Sequence, residues 1–93
     1  MLIEKLIGAE ITEIQHIHDY FQILTDKGTI NIYVNAEISD SIVNCKIVGI
    51  EYNENYMRFD LDNNQSVIIP LDSQDNLPEY FSVHLNTGEI IVE

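Results

Sequence analysis

The strongest constraint on the fold is an alternation running through residues 56–71, YMRFDLDNNQSVIIPL. Met57, Phe59 and Leu61 alternate with Tyr56, Arg58 and Asp60; after Asp62-Asn63-Asn64-Gln65, the residues Val67, Ile69 and Leu71 alternate with Ser66, Ile68 and Pro70. A period of two places each apolar set on one face of a strand, and the four polar residues supply turn chemistry, so the stretch predicts a hairpin. Pro70 has no backbone N–H to give to a ladder and therefore belongs at a strand end or on an edge.

The same pattern occurs earlier in the chain. Residues 10–17 (EITEIQHI), 20–25 and 29–34 read as three strands, joined by His18-Asp19 and by a turn at Asp26-Lys27-Gly28 in which Gly28 is available for positive φ. A shift of 36 places Leu6 over Ile42, Ile11 over Ile47, Ile14 over Ile50, Tyr20 over Tyr56, Phe21 over Met57, Ile23 over Phe59 and Asp26 over Asp62. One extra residue in the second turn makes the shift 37, and Ile30, Ile32 and Val34 then fall over Val67, Ile69 and Leu71. Ile11 and Ile14, like Ile47 and Ile50, stand three apart, a spacing that a strand accommodates by an added residue such as a bulge.

Residues 81–85 and 89–92 read as a closing hairpin over Asn86-Thr87-Gly88, while Leu2, Ile3, Leu6 and Ile7 before Gly8 have the spacing of a short helix. The expectation is an all-β fold of about eight mainly antiparallel strands, built from two repeated three-strand meanders (residues 6–34 and 42–71) and the hairpin of 81–92. It would form a curved sheet, half-barrel or small sandwich with a short N-terminal helix. Ninety-three residues suffice for one domain spanning 1–93.

Sixteen Asp and Glu against four Lys and Arg give a formal charge of −12. A field of that sign repels nucleic acid and anionic lipid and speeds the capture of a basic partner, so no direct nucleic-acid or membrane binding is expected, and the free chain should be a monomer. The N-terminal run MLIEKLIG carries Glu4 and lacks a basic region, unlike a secretory signal. A single cysteine, Cys45, suits a reducing compartment, so the expected location is cytoplasmic.

Catalytic and metal-binding patterns are weak. His16 and His18 share a strand face with Asp19 close by, but nothing adjacent completes a ligand set, and ordinary rim histidines are the better reading. Residues 60–64, DLDNN, begin like a calcium loop, yet Gln65 stands where a glycine is needed and Leu71 where a bidentate Glu belongs. The expectation is a chain that is not an enzyme, with no catalytic residue, cofactor or metal.

What remains is a surface. Glu51, Glu54, Asp60, Asp62, Asp72, Asp75 and Glu79 surround the lone base Arg58, with Tyr52, Tyr56 and Tyr80 interleaved. Tyrosine combines apolar area with a polar tip and few rotors, and carboxylates complement basic groups, so these acids and tyrosines form the expected partner-binding set.

In size, acidity, β architecture and lack of catalytic motifs, rather than in any signature motif, the chain resembles the small acidic immunity proteins of bacterial toxin–immunity systems of the contact-dependent growth inhibition type. That resemblance implies a function: binding and neutralising a cognate basic toxin, typically a nuclease, by presenting carboxylates where the enzyme would hold phosphate. The alternative is a regulatory, structural or self-assembling β module that binds another protein.

Overall fold

Both three-residue isoleucine spacings resolve into β-bulges. The computed structural model describes residues 2–17, 20–34, 38, 40–71 and 80–92. Its strands are β1 (Ile11–Ile17), β2 (Tyr20–Thr25), β3 (Gly28–Ile32), β4 (Ile47–Tyr52), β5 (Tyr56–Leu61), β6 (Ser66–Pro70), β7 (Phe81–Leu85) and β8 (Ile90–Val92). The β1–β2 register slips between Ile11 and Glu13, and the β4–β5 register slips between Ile47 and Gly49, the same place at a shift of 36. All pairings are antiparallel, giving a five-stranded sheet of order β1-β2-β3-β7-β8 and a three-stranded sheet of order β4-β5-β6. The fold is all-β, as the alternation requires.

The two meanders meet at the bridge between Glu10 and Lys46, positions themselves 36 apart. Around it every bond has a mate with the roles of the meanders exchanged. Gly8 N donates to Ile47 O and Asn44 N to Ile11 O, both at 2.7 Å; Ile47 N donates to Ala9 O at 2.9 Å and Ile11 N to Cys45 O at 2.8 Å. Asp26 closes one side, with its N–H 3.1 Å from Glu10 O and its Oδ1 2.9 Å from Glu10 N. Asp62 closes the other, with its N–H 3.0 Å from Lys46 O and its Oδ1 3.2 Å from Lys46 N. Gly8 and Asn44 occupy equivalent positions at φ 89° and 74°, a left-handed conformation that glycine adopts without penalty and asparagine tolerates. Reciprocal bonding of this kind is the signature of a two-fold interface, here formed between two segments of one chain.

The apolar faces of both meanders and of the hairpin enclose one cluster. Ile11, Ile23, Ile30 and Ile32 from the first, Ile47, Met57, Phe59, Leu61, Val67 and Ile69 from the second, and Phe81, Val83 and Leu85 from the hairpin are all buried there. Ile3, Leu6 and Ile42 cap it from short 3-10 helices at Leu2–Leu6 and Asp40–Ile42. The N-terminal element is thus a tight 3-10 turn, ended by Gly8.

β7 is fixed to β3 by more than its ladder. On the outer face Gln22 Nε2 donates to Asn31 Oδ1 at 3.0 Å, Asn31 Nδ2 donates to Ser82 Oγ at 3.2 Å, and Tyr33 Oη lies 2.9 Å from the same Oγ. Asn31 and Ser82 are buried, and this chain satisfies them.

The structure corrects one detail of the turn at residues 26–28. Gly28 does not adopt positive φ; it opens β3, and a β-carbon there would lie 2.7 Å from the His84 carbonyl oxygen on β7. Close approach of strands, not turn conformation, requires the glycine. Gly28→Ala is expected to cost about 1–3 kcal/mol, as overpacking does, because backbone must move to admit the methyl group. Urea unfolding measures it; a loss below about 0.5 kcal/mol would show that β3 and β7 part freely.

Candidate partner-binding site

The β4–β5 turn is built by Asn53. Its Oδ1 accepts the N–H groups of Asn55 at 2.8 Å and Tyr56 at 3.0 Å, and its own N–H donates to Tyr56 O at 3.0 Å, an Asx turn that holds Glu54 exposed at the tip. Leu71, just past β6, is tied to this turn through its N–H, 2.9 Å from Asn55 O. Tyr80 belongs to the other sheet, for its carbonyl accepts the Tyr33 N–H at 2.9 Å at the head of β7. Between them Tyr52, Asn53, Glu54, Leu71 and Tyr80 line a cleft of about 470 Å³.

The sequence-predicted residues therefore separate into distinct groups. Tyr52, Glu54 and Tyr80 come together at the cleft. Glu51, Asp60 and Tyr56 lie outside it, on the outer side of the three-stranded sheet, where Glu51 stands opposite Arg58 and Tyr56 opposite Pro70. Asp62 lies in the β5–β6 turn, where its carboxylate accepts the Lys46 N–H at the junction of the meanders. Asp72, Asp75 and Glu79 fall outside the described residues. The cleft also draws on Asn53 and Leu71, which the acid-and-tyrosine pattern does not include, although an Asn opening N-E-N-Y is a recognisable Asx-turn signal.

The charge on the outer face is less open than the composition implies. Arg58 bridges its neighbours, with Nη2 2.6 Å from Glu51 Oε2 and Nε 2.9 Å from Asp60 Oδ1, while Ser66 Oγ donates to that same oxygen at 3.0 Å. The hydrogen bond to Asp60 is the largest influence on the guanidinium and raises its pKa above the ordinary value; burial opposes it, and the charges of Asp60, Glu51 and Tyr56 add to it. Glu51 and Asp60 are thus occupied by a cation of their own chain, whereas no ion pair joins Glu54 to a base among the described residues.

Elsewhere Lys5 and Lys27 are also engaged within the chain. Lys5 Nζ lies 2.6 Å from Glu89 Oε1, and the hydrogen bond from Lys5, with that from Thr87, holds the Glu89 carboxyl below its ordinary pKa. Lys27 Nζ donates to Ile7 O at 3.2 Å, close to Gly8 at the edge of the junction. The field outside the molecule follows the net charge of −12, sixteen acids against four bases.

His16 stacks on Phe21 across the β1–β2 pair, with ring centroids 4.4 Å apart, while His18 and Asp19 lie outside the described residues. Among the described residues no group of three or more His, Cys, Asp or Glu is placed to hold a metal ion, and no helix is long and apolar enough to cross a membrane.

Cys45, half-buried beside the junction, has its thiol pKa raised above the ordinary value by burial first and by the Asp62 carboxylate second. Less thiolate at a given pH means a slower nucleophile. Alkylation of Cys45 by iodoacetamide at pH 8, followed by mass spectrometry, is expected to run several-fold slower in the folded chain than in urea; equal rates would remove both influences.

Chemically, the cleft offers two phenolic rings, an aliphatic wall and one carboxylate. Tyr faces attract cations and Glu54 pairs with them, so the arrangement suits a Lys or Arg side chain whose stem packs on Leu71. Compared with protein-family models, with curated proteins and with solved structures, the chain shows no match.

Proposed function

We propose that this chain is a protein-binding module that seizes a basic partner at the Tyr52–Glu54–Tyr80 cleft, and that it serves as an immunity protein neutralising a cognate basic toxin of nuclease type. The observation that supports the reading is the convergence of two tyrosines and an exposed carboxylate in a cleft large enough for basic side chains. Long-range attraction from a −12 chain speeds encounter with a cationic protein, and the cleft supplies short-range complementarity. A nuclease site must hold phosphate with basic groups, and Glu54 can pair with such a group instead. The chain's own part is binding and exclusion, not chemistry. The test is the affinity of the wild type, and of a Tyr52→Ala, Glu54→Lys variant, for the protein encoded by the adjoining gene, together with inhibition of that protein's nuclease activity.

A further inference from the structure

In the first meander the outer edge of β3 is filled: Thr29, Asn31 and the adjoining Tyr33 face His84, Ser82 and Tyr80, with β7 antiparallel. At a shift of 37 the equivalents of Thr29, Asn31 and Tyr33 are Ser66, Ile68 and Pro70 on β6. Leu61 N donates to Gln65 O and Leu71 N to Asn55 O, each at 2.9 Å, so by antiparallel alternation the odd-numbered residues 65–71 bond to β5, and Ser66, Ile68 and Pro70 turn their backbone groups outward. No strand among the described residues pairs with that edge.

From this juxtaposition we infer that β6 receives an extended segment of the basic partner as an added antiparallel strand, in the place that β7 takes on β3. The inference rests on the basic-partner reading above and specifies the shape of what is bound. Ser66 and Ile68 supply N–H and C=O groups and Pro70 a carbonyl alone, so the main-chain bonds of strand addition are available over most of the edge. Side chains fix the composition of the incoming strand. On the outer face it lies beside Ser66, whose Oγ bonds Asp60, and beside Ile68, which is 48% exposed; a lysine or arginine lays its stem on Ile68 and carries its charge out into the field of a −12 chain. On the inner face it continues the row of Val67 and Ile69, which asks for an apolar residue. The fitting segment alternates basic and apolar residues and runs along β6 from the cleft at Leu71. β7 itself is kept off this edge because Ile68 cannot make the Asn31–Ser82 bond that registers β7 on β3. A second copy of the chain is disfavoured, since it would bring two charges of −12 together.

Hydrogen exchange of the full chain, read amide by amide by NMR, tests this with a blocked hexapeptide of alternating Lys and Val. In the free chain Ser66 and Ile68 should exchange quickly while Val67 and Ile69 are protected. On adding the peptide, Ser66 and Ile68 should slow by roughly tenfold or more. The same peptide with its lysine backbone nitrogens methylated should not slow them. Binding that slows exchange only around Tyr52–Tyr56 overturns strand addition and leaves the cleft reading standing. No binding of the peptide at millimolar concentration also overturns strand addition, while the cleft reading is still judged separately on the neighbour-encoded protein. Protection of Ser66 and Ile68 without peptide overturns the inference as well: concentration dependence would assign the edge to a second copy, and independence to the chain itself.

Discussion

Phe59→Ala is expected to lower the free energy of unfolding by about 3–5 kcal/mol, the loss typical of deleting a buried aromatic ring. Phe59 is 1% exposed at the centre of β5, opposite Ile50 on β4 and Val67 on β6, and ranks among the largest fully buried side chains. Because both meanders and the hairpin feed the same apolar cluster, the cavity is felt by the whole fold and not by the three-stranded sheet alone. Urea unfolding followed by far-UV and near-UV circular dichroism should show one transition shifted to lower denaturant. Ile68→Ala, which alters an exposed side chain on the neighbouring strand, should stay within about 0.5 kcal/mol. Separate transitions for the two sheets in Phe59→Ala would contradict a shared core.

Much of this architecture was legible because strands write their burial into alternation. Tyr56 to Leu61 and the polar turn after it could be read directly, and the odd spacing of Ile11–Ile14 and Ile47–Ile50 announced two bulges that the register bears out. Pro70 ends an edge strand, as its missing N–H demands. Less legible was anything that depends on which strands meet. That Gly28 is required by the His84 carbonyl follows from β7 joining β3, a pairing between residues far apart in the chain. The reciprocal bonds about Glu10 and Lys46 are likewise invisible in periodicity, although the 36-residue shift pointed to the residues that make them.

For the site, the sequence located acids and tyrosines but not their partners. Counting Arg58 as one base among many acids hid the fact that it lies between Glu51 and Asp60 and occupies both. Asp62 looked like a displayed turn carboxylate, yet its oxygen caps the Lys46 N–H. Reversing Asp60 and Asp62 would therefore disturb the sheet and the junction as well as any interface. Glu54, held at the tip of an Asx turn, can be reversed with little cost to the fold.

The second large effect is accordingly expected in binding. Tyr52→Ala with Glu54→Lys removes a ring from the cleft and places a like charge where a basic partner must dock, and losses at such central positions run to about 2–4 kcal/mol, or roughly thirty-fold to a thousand-fold in Kd. Tyr52 is 37% exposed and Glu54 lies in a turn, so neither belongs to the buried apolar cluster and the variant should still unfold in one cooperative transition. Glu13→Lys, an exposed reversal in the first meander, changes net charge by the same amount as Glu54→Lys and serves as control. Its effect should fall on the association rate and fade with added salt, because it acts through the long-range field alone.

The decisive measurement is the Kd of these proteins for the product of the adjoining gene at 50 and 300 mM salt. The account predicts a loss of at least about thirty-fold for the cleft variant that persists at high salt, and a control within a few-fold of wild type once salt is raised. Equal losses in the two variants, or none in the cleft variant, would contradict it.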